Sequence, residues 1–345
     1  MAMKKNFLLV CLVLASYLGW AQQIPHYSNY MLNPLLLNPA VTGVDNYLDL
    51  RTGYRNQWSG LEGAPESFYL SAHMPIARLD YVNPPSSYHQ QPQPKRSKYL
   101  NNWRPFHRNT TQQIPANHGL GLLVQVDQAG GMKRTDVQAT YAYHLPVTGT
   151  MKLAAGVAAG ITQYGLNRDQ ISFIDPSDPV VNEESYHRIR PNLSVGLVAY
   201  DTRFFAGVSF AQVLPAPYTF RTSDPEVPAQ QQRHFYGHAG YRIIISRDVN
   251  FIPSVVVKYA DPTALSFDVN AKLYLRQFLW LGGSYRHNDA VTASAGFHWK
   301  NKMHLGYAYD LTTSALNTVS TGSHEIMLGL TLFNKQGVFS KSQYW

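Results

Sequence analysis

Histidine, serine and carboxylate side chains are the residues of this sequence whose types could support catalysis or metal binding. The 13 histidines are scattered along the chain. His304 and Asp310 lie six positions apart, so a strand would place both on one face, whereas the adjacent His324 and Glu325 would face opposite ways. No histidine pair has a strand or helix spacing that suggests a metal site with a third ligand. We therefore expect no metal and no cofactor.

Catalytic signatures are also missing from the sequence. It contains no nucleophile elbow, no phosphate-binding loop and no dinucleotide-binding fingerprint. Ser209 and Ser294 are candidates for the nucleophile of a membrane-embedded hydrolase. The alternative, which we favour, is that inward-facing His, Arg, Asp and Tyr side chains form a polar network that fills a protein interior. The sequence thus predicts no catalytic residue and no enzyme.

The first 21 residues have the features of a cleaved export signal. Two lysines precede an apolar run at 7–20, which is too short to cross a bilayer as a helix. Gly19 and Ala21 supply the small residues of a cleavage site, so we predict cleavage after Ala21. The only cysteine, Cys11, lies inside this signal, so the mature chain is expected to form no disulfide and no thiolate site.

Composition narrows the fold class. Charged residues make up 14% of the chain, against about 25% in ordinary soluble domains. Aromatic residues make up 13% and the mean hydropathy is −0.25. No apolar run after the signal approaches the length of a membrane-spanning helix. Low charge with many aromatics and middling hydropathy is typical of a β-barrel, in which apolar and polar residues alternate.

The dominant period after residue 46 is two, and it is clearest at 265–276. There Leu273 should face lipid and Asp268 the lumen, so Leu273→Arg should impair assembly more than Asp268→Arg, whose charge water or counter-charges would accommodate. The proposed strands are 47–55, 66–74, 117–127, 133–145, 150–164, 190–200, 203–211, 233–246, 249–259, 265–276, 278–286, 290–299, 303–310 and 323–333. The sequence predicts an all-β fold: a transmembrane, antiparallel β-barrel of the outer membrane, with about 14 strands, at residues 47–345.

Connection lengths orient this barrel. Short connections alternate with longer ones, and short turns of such barrels face the periplasm. An even number of strands then places both termini on the periplasmic side. Residues 22–46 precede the first strand and carry two turn initiators, Asn33-Pro34 and Asn38-Pro39, which would break any helix begun at Tyr30. We predict that this segment folds under or into the barrel as a short plug.

A long basic insert at 75–116 breaks the alternation of connection lengths, because the strand count places it in the periplasm. It is rich in Pro and Gln and holds six basic residues against one acid, Asp80. It is either a disordered, solvated insert or a docking loop for an acidic or peptidoglycan-associated periplasmic partner. The candidate partner-binding residues are Lys95, Arg96, Lys98, Arg104 and Arg108. A nucleic-acid partner conflicts with the export signal, and no nucleic-acid-binding motif is present.

A set of short motifs gives the sequence its specific resemblance. Residues 27–34 read Tyr-Ser-Asn-Tyr-Met-Leu-Asn-Pro and residues 37–43 read Leu-Asn-Pro-Ala-Val-Thr-Gly. The other motif residues are Tyr54, Arg55, Gln57, Trp58, 63–65 ending at Pro65, 119–121, Asp127, 141–143, Asp175, Gly196, 306–310 with Tyr309 and Asp310, and 322–325 with His324 and Glu325. In this order the motifs resemble the PorP/SprF family of Bacteroidetes outer-membrane proteins, which is associated with type IX secretion and gliding motility.

The resemblance implies a non-enzymatic outer-membrane component of type IX secretion. Its implied partners are other secretion components in the outer membrane or periplasm, secreted surface adhesins as cargo, and peptidoglycan-linked proteins. The mechanism that we favour is scaffolding by a largely plugged barrel, with a general or specific solute channel as the alternative. The motif residues also have structural explanations: Arg55 as one member of a lumen ion pair, and Trp58 as an anchor at the membrane interface.

Overall fold

The computed structural model describes residues 27–76, 116–148, 150–166, 187–214, 232–246, 248–260, 265–276, 278–300 and 302–334. The export signal at 1–21 lies outside the described residues. So does most of the basic insert, including the five candidate partner-binding residues Lys95, Arg96, Lys98, Arg104 and Arg108. In the described part of the chain, no helix is long and apolar enough to cross a lipid bilayer.

The described residues form one antiparallel sheet that closes on itself. Its strands are β1 (Leu48–Asn56), β2 (Glu66–Pro75), β3 (Asn117–Ala129), β4 (Met132–Pro146), β5 (Lys152–Leu166), β6 (His187–Tyr200), β7 (Phe204–Ala211), β8 (His234–Tyr241), β9 (Ile243–Ile244), β10 (Val249–Ala260), β11 (Ser266–Leu275), β12 (Leu279–Arg286), β13 (Ala290–Trp299), β14 (Met303–Thr312) and β15 (Ser323–Leu332). Each strand pairs with its neighbours in the sequence, and β1 pairs with β15 from Leu48↔Leu332 to Asn56↔His324. The sheet is therefore a barrel without free edges.

The barrel wall contains 14 strands, because β8 and β9 are two parts of one strand. Both pair with β10 in a single continuous register, from Ser254↔Gly240 to Asn250↔Ile244. The register lacks the two pairs opposite Ile252 and Pro253, and Pro253 has no N–H to donate to the ladder. The prediction of a 14-stranded antiparallel barrel is confirmed, and each observed strand overlaps the predicted one.

Alternation along the strands separates the two faces of the wall. In β11, Asp268, Asn270 and Lys272 point inward and are buried, whereas Val269 is 51% exposed on the outside. Leu273 lies on the same outer face as Val269. Outward Leu, Val, Ile and aromatic side chains cover the rest of the barrel in the same way, as expected of a surface in contact with lipid.

The two rims of the barrel differ in their connections. At one rim, the short-turn end, β4–β5, β6–β7, β9–β10, β11–β12 and β13–β14 are joined by three to five residues. The opposite rim, the long-loop end, carries the connections 57–65, 167–186, 212–233 and 313–322, together with the shorter connections 130–131, 261–265 and 287–289. β1 begins and β15 ends at the short-turn end, and the basic insert also leaves and re-enters the wall there.

Both termini lie outside the described residues, but the described part of the segment before β1 does not stay at the short-turn end. The segment before β1 runs through the lumen, and Ser28 contacts Arg55, Asp310 and Glu325, which lie close to the long-loop end of their strands. The first described residues therefore lie near the opposite rim from the start of β1. The even number of strands could not show this, because it reflects only how often the strands of the wall cross the membrane.

Candidate functional site: the plugged lumen

The segment at 27–45, the plug segment, occupies the interior of the barrel. It forms three short 3-10 helices, at Asn29–Met31, Pro34–Leu36 and Pro39–Val41. Proline at the first position of the second and third helices favours a helix start. Its ring fixes φ near the helical value, and the N–H that it lacks would have no acceptor within the helix at this position. The side chain of Asn38 caps the third helix by accepting from the N–H of Ala40 at 2.9 Å. The two Asn-Pro pairs thus divide the segment into short turns that fit the lumen.

Three inward-facing glycines, Gly119 in β3, Gly156 in β5 and Gly196 in β6, form a seat for this segment. A Cβ atom at Gly119 would overlap the backbone of Thr42, and one at Gly156 would overlap the backbone of Ala40. A Cβ atom at Gly196 would overlap the side-chain oxygen of Asn38. The wall therefore lacks side chains at the positions where the backbone of the plug segment approaches it. We call these three residues the glycine seat.

Hydrogen bonds complete the contact at the glycine seat. The Asn38 amide donates to the carbonyl oxygens of Leu197 and Val208, at 3.0 and 3.2 Å. His144 Nε2 lies 2.7 Å from the carbonyl oxygen of Thr42, so this nitrogen donates, and Tyr200 donates its hydroxyl to Nδ1 at 2.8 Å. Each of these polar groups is buried and is satisfied by a partner, which avoids the penalty of an unpaired polar group.

The other end of the plug segment is held by an ionic anchor formed by Ser28, Arg55, Asp310 and Glu325. The Arg55 guanidinium lies 2.7 Å from Asp310 Oδ2 and 3.3 Å from Glu325 Oε2. The backbone N–H groups of Ser28 and Asn29 donate to Glu325, and the Ser28 hydroxyl donates to Asp310 at 2.6 Å. The charged residues are at most 1% exposed. Removing one partner of such a buried cluster would leave an uncompensated charge.

A second buried ion cluster lies beside the ionic anchor on β10, β11 and β12. Lys258 lies 2.6 Å from Asp268 Oδ2, and Arg286 contacts Asp268 at 3.7 Å and Asp310 at 3.7 Å. The ion pairs argue against the expected tolerance of Asp268→Arg, because a new cation would sit between two existing ones in a buried interior. Alternation placed Asp268 in the lumen correctly, but it could not show that the plug segment excludes the water on which that expectation relied.

The remaining motif residues divide between the lumen, one loop and the outer surface. Asn33 donates to Ser71 inside the barrel at 2.9 Å. Gln57 and Pro65 are joined across the 57–65 connection by a backbone hydrogen bond of 2.9 Å, and the Trp58 N–H donates to Ser323 Oγ at 3.0 Å. The rings of Tyr309 and His324 contact each other outside the wall, with centroids 5.1 Å apart and planes inclined at 49°. The lumen thus contains Asn33, Pro34, Asn38, Pro39, Arg55, Asp310 and Glu325. Gln57, Trp58 and Pro65 lie in the 57–65 connection, and Tyr309 and His324 lie on the outer surface.

Sequence reasoning missed several members of this site. Ser28 was named only as part of the motif at 27–34. Gly156 and Arg286 were not singled out, although the alternation along β5 and β12 already placed them on the inner face. A glycine at an inward position of a strand is a signal for close backbone approach. The two serines proposed as nucleophiles have no histidine among the hydrogen-bond partners that the structure shows for them; Ser209 donates to the carbonyl of Leu37.

A small cavity borders the plug segment. A cavity of about 40 Å³ lies between residues 35–37 and the inner face of β3–β8, lined on the wall side by Gln138, Asn192 and Ser194. This volume holds roughly three water molecules. Within the described ranges, no group of three or more His, Cys, Asp or Glu side chains is arranged to hold a metal ion.

A closed 14-stranded barrel with an apolar outer face and a filled polar interior defines the class of outer-membrane-type β-barrels. The chain belongs to the family of the type IX secretion system membrane protein PorP/SprF, whose model matches residues 20–330. It is therefore a membrane component of type IX secretion, as the resemblance of its motifs implied, and this is not a known enzyme family.

Solved structures share the barrel at low sequence identity. The CymD monoaromatic hydrocarbon channel has 11% identity and a TM-score of 0.45, and the match covers 91% of this chain and 94% of CymD. A FadL homologue of Pseudomonas aeruginosa has 9% identity and a TM-score of 0.44, with 89% and 94% covered. The β domain of the Bordetella autotransporter BrkA has 9% identity and a TM-score of 0.35, with 82% and 98% covered. A search of curated proteins found no sequence match to the chain.

Proposed function

We propose that this chain is a closed, non-enzymatic scaffold of the outer membrane, exported with cleavage near Ala21. It anchors secreted surface cargo on the outside or docks secretion machinery on the periplasmic side. The observation that carries the proposal is the filled lumen: the plug segment is buried along its length and is fastened at both ends, by the ionic anchor and by the glycine seat. A barrel closed in this way has an outer surface and two rims available for partners, but no wide aqueous path.

Single-channel recording separates the scaffold from the solute channel. The full mature chain in planar bilayers is expected to show no stable unit conductance. A variant that lacks residues 27–46 is expected to conduct in large steps, because a 14-stranded wall lies between the filled eight-stranded barrels and the open sixteen-stranded porins. Large, stable conductance of the full chain, without retention of surface cargo or secretion components on purification, supports the solute channel and contradicts the scaffold.

We further propose that the basic insert contacts an acidic or peptidoglycan-linked periplasmic partner through Lys95, Arg96, Lys98, Arg104 and Arg108. Support comes from its attachment at the short-turn end, which faces the periplasm in barrels of this class. Its excess of basic over acidic residues supports an electrostatic contact, which salt screens over roughly 8 Å. Deletion of residues 86–110 is expected to leave the barrel assembled and to reduce co-purification of secretion components.

A cysteine at Ser97 tests the side of the membrane on which this insert lies. The expected mature chain contains no other thiol, so labelling reports this position alone. A membrane-impermeant maleimide is expected to label it only after the outer membrane has been permeabilised. Labelling on intact cells would place the insert at the cell surface and contradict periplasmic docking.

A further inference from the structure

Two neighbouring turns at the short-turn end carry cations in an unusual backbone position. Arg276 follows β11 with φ +48°, and Lys300 follows β13 with φ +50°. Each turn is closed by one backbone hydrogen bond, from Phe278 to Leu275 at 3.1 Å and from Lys302 to Trp299 at 3.0 Å. Asn, Asp or Gly normally occupies the left-handed positions of such two-residue hairpin turns. The backbone of these two turns therefore does not favour the long cationic side chains that they carry.

These cations are exposed, and the described residues form no ion pair with them. Arg276, Lys300 and Lys302 all lie on the surface, and neither turn contains an acidic residue. In the part of the chain that the structure describes, no ion pair joins any of the three to a carboxylate. Asp248 of the preceding turn is exposed, and its carbonyl oxygen accepts from the Arg276 N–H at 2.7 Å.

Aromatic side chains on the outer face flank the same two turns. Phe278 and Trp299 are 49% and 50% exposed, and the rings of Phe278 and Phe297 lie 6.0 Å apart. The His298 N–H donates to the Phe278 carbonyl at 2.7 Å, so the two hairpins are joined at this level, with their turns about 10 Å apart. The Lys300 Nζ lies 5.7 Å from the centre of the Trp299 ring. Aromatic belts of this kind mark the boundary between the hydrocarbon region and the headgroups.

We propose that Arg276, Phe278, Phe297, Trp299, Lys300 and Lys302 form a binding site for the headgroup of an anionic phospholipid, which we call the basic rim. The aromatic rings contact the upper acyl chains, and the three cations surround the phosphate from two adjacent turns. Charge complementarity and the position at the headgroup level favour a lipid over a soluble partner, because a lipid phosphate is the anion present at that depth. The site goes beyond the scaffold function and does not depend on the identity of the cargo.

Titration with phosphatidylglycerol tests the basic rim. The full mature chain, in zwitterionic detergent, is titrated with short-chain phosphatidylglycerol and, separately, with phosphatidylcholine of the same chain length. The variant Arg276→Asn, Lys300→Asn, Lys302→Gln places turn-compatible residues at both left-handed positions, so it should fold at least as well as the wild type. Its affinity for phosphatidylglycerol is expected to fall about 5-fold for each cation removed, or roughly 100-fold in total.

The matched control removes exposed charges from the long-loop end, with Lys133→Gln and Arg233→Gln. This variant should bind phosphatidylglycerol like the wild type, and phosphatidylcholine binding should be weak and equal in all three proteins. The proposal is overturned if the wild type does not prefer phosphatidylglycerol, or if the triple variant retains that preference. Loss of an acidic periplasmic protein from the purified triple variant, with lipid affinity unchanged, would assign the basic rim to that protein instead.

Discussion

Replacement of Gly196 by valine is expected to displace the plug segment and make the barrel conduct ions. A side chain at this position occupies the space of the Asn38 amide, whose hydrogen bonds to Leu197 and Val208 would break. Overpacking of this kind costs about 1–3 kcal/mol, so the glycine seat would lose much of its hold while the strand ladder stays intact. Planar-bilayer recording should show frequent openings in the variant and silence in the wild type.

A thiol probe reports the same event independently of conductance. Leu35 is 3% exposed inside the barrel, so a cysteine placed there should react slowly with a soluble maleimide in the wild-type background and rapidly with Gly196→Val. Gly237→Val is the matched control, since that outward-facing glycine has no atom closer than 3.7 Å to an added Cβ. If both glycine variants behave alike, or if Gly196→Val stays silent and protected, the glycine seat does not hold the plug segment.

The largest loss of stability is expected for Arg55→Met. This change leaves Glu325 and Asp310 buried without the guanidinium that contacts both, although Arg286 still lies 3.7 Å from Asp310. Breaking a buried ion pair from one side costs about 3–5 kcal/mol. Urea unfolding in lipid vesicles, followed by the gel shift between folded and unfolded barrel, should therefore show a clearly lower midpoint.

Removal of the stranded charge should restore part of this loss. In the double variant Arg55→Met, Glu325→Gln, the neutral amide keeps one oxygen that can accept from the N–H of Ser28 or of Asn29, which donate to different oxygens of Glu325. The double variant is therefore expected to be more stable than Arg55→Met alone. Lys133→Met, which removes an exposed cation from β4, should change the midpoint by less than about 0.5 kcal/mol. An Arg55→Met midpoint equal to that of this control would show that the ionic anchor contributes nothing to stability.

The two predictions concern the two attachments that hold the plug segment in the barrel. The ionic anchor joins the start of the plug segment to β1, β14 and β15, whereas the glycine seat joins its end to β3, β5 and β6. Residues far apart in the sequence, such as Ser28 and Asp310, thereby become direct neighbours. Loss of the glycine seat should mainly change conductance, and loss of the ionic anchor should mainly lower the stability of the folded barrel.

Local sequence patterns were sufficient to predict the wall. The two-residue alternation and the turn residues specify which side chains face lipid, because a strand places successive side chains on opposite faces. The shared face of His304 and Asp310 and the opposite directions of His324 and Glu325 followed from this period, as did the count of 14 strands. The ordered motifs also predicted the family, which the match over residues 20–330 confirms.

The tertiary structure alone decided what fills the lumen and how the charges are paired. Alternation assigns a face but not a partner, so Arg55, Asp310 and Ser28 could be recognised as one cluster only after barrel closure brought β1 beside β15. The path of the plug segment was not predicted either. An even number of strands shows only how often the wall crosses the membrane, and a segment inside the lumen produces no alternating pattern in the sequence. The surroundings of Asp268 were not predicted because they depend on a segment more than 200 residues away in the sequence, which replaces the expected water with buried neighbours.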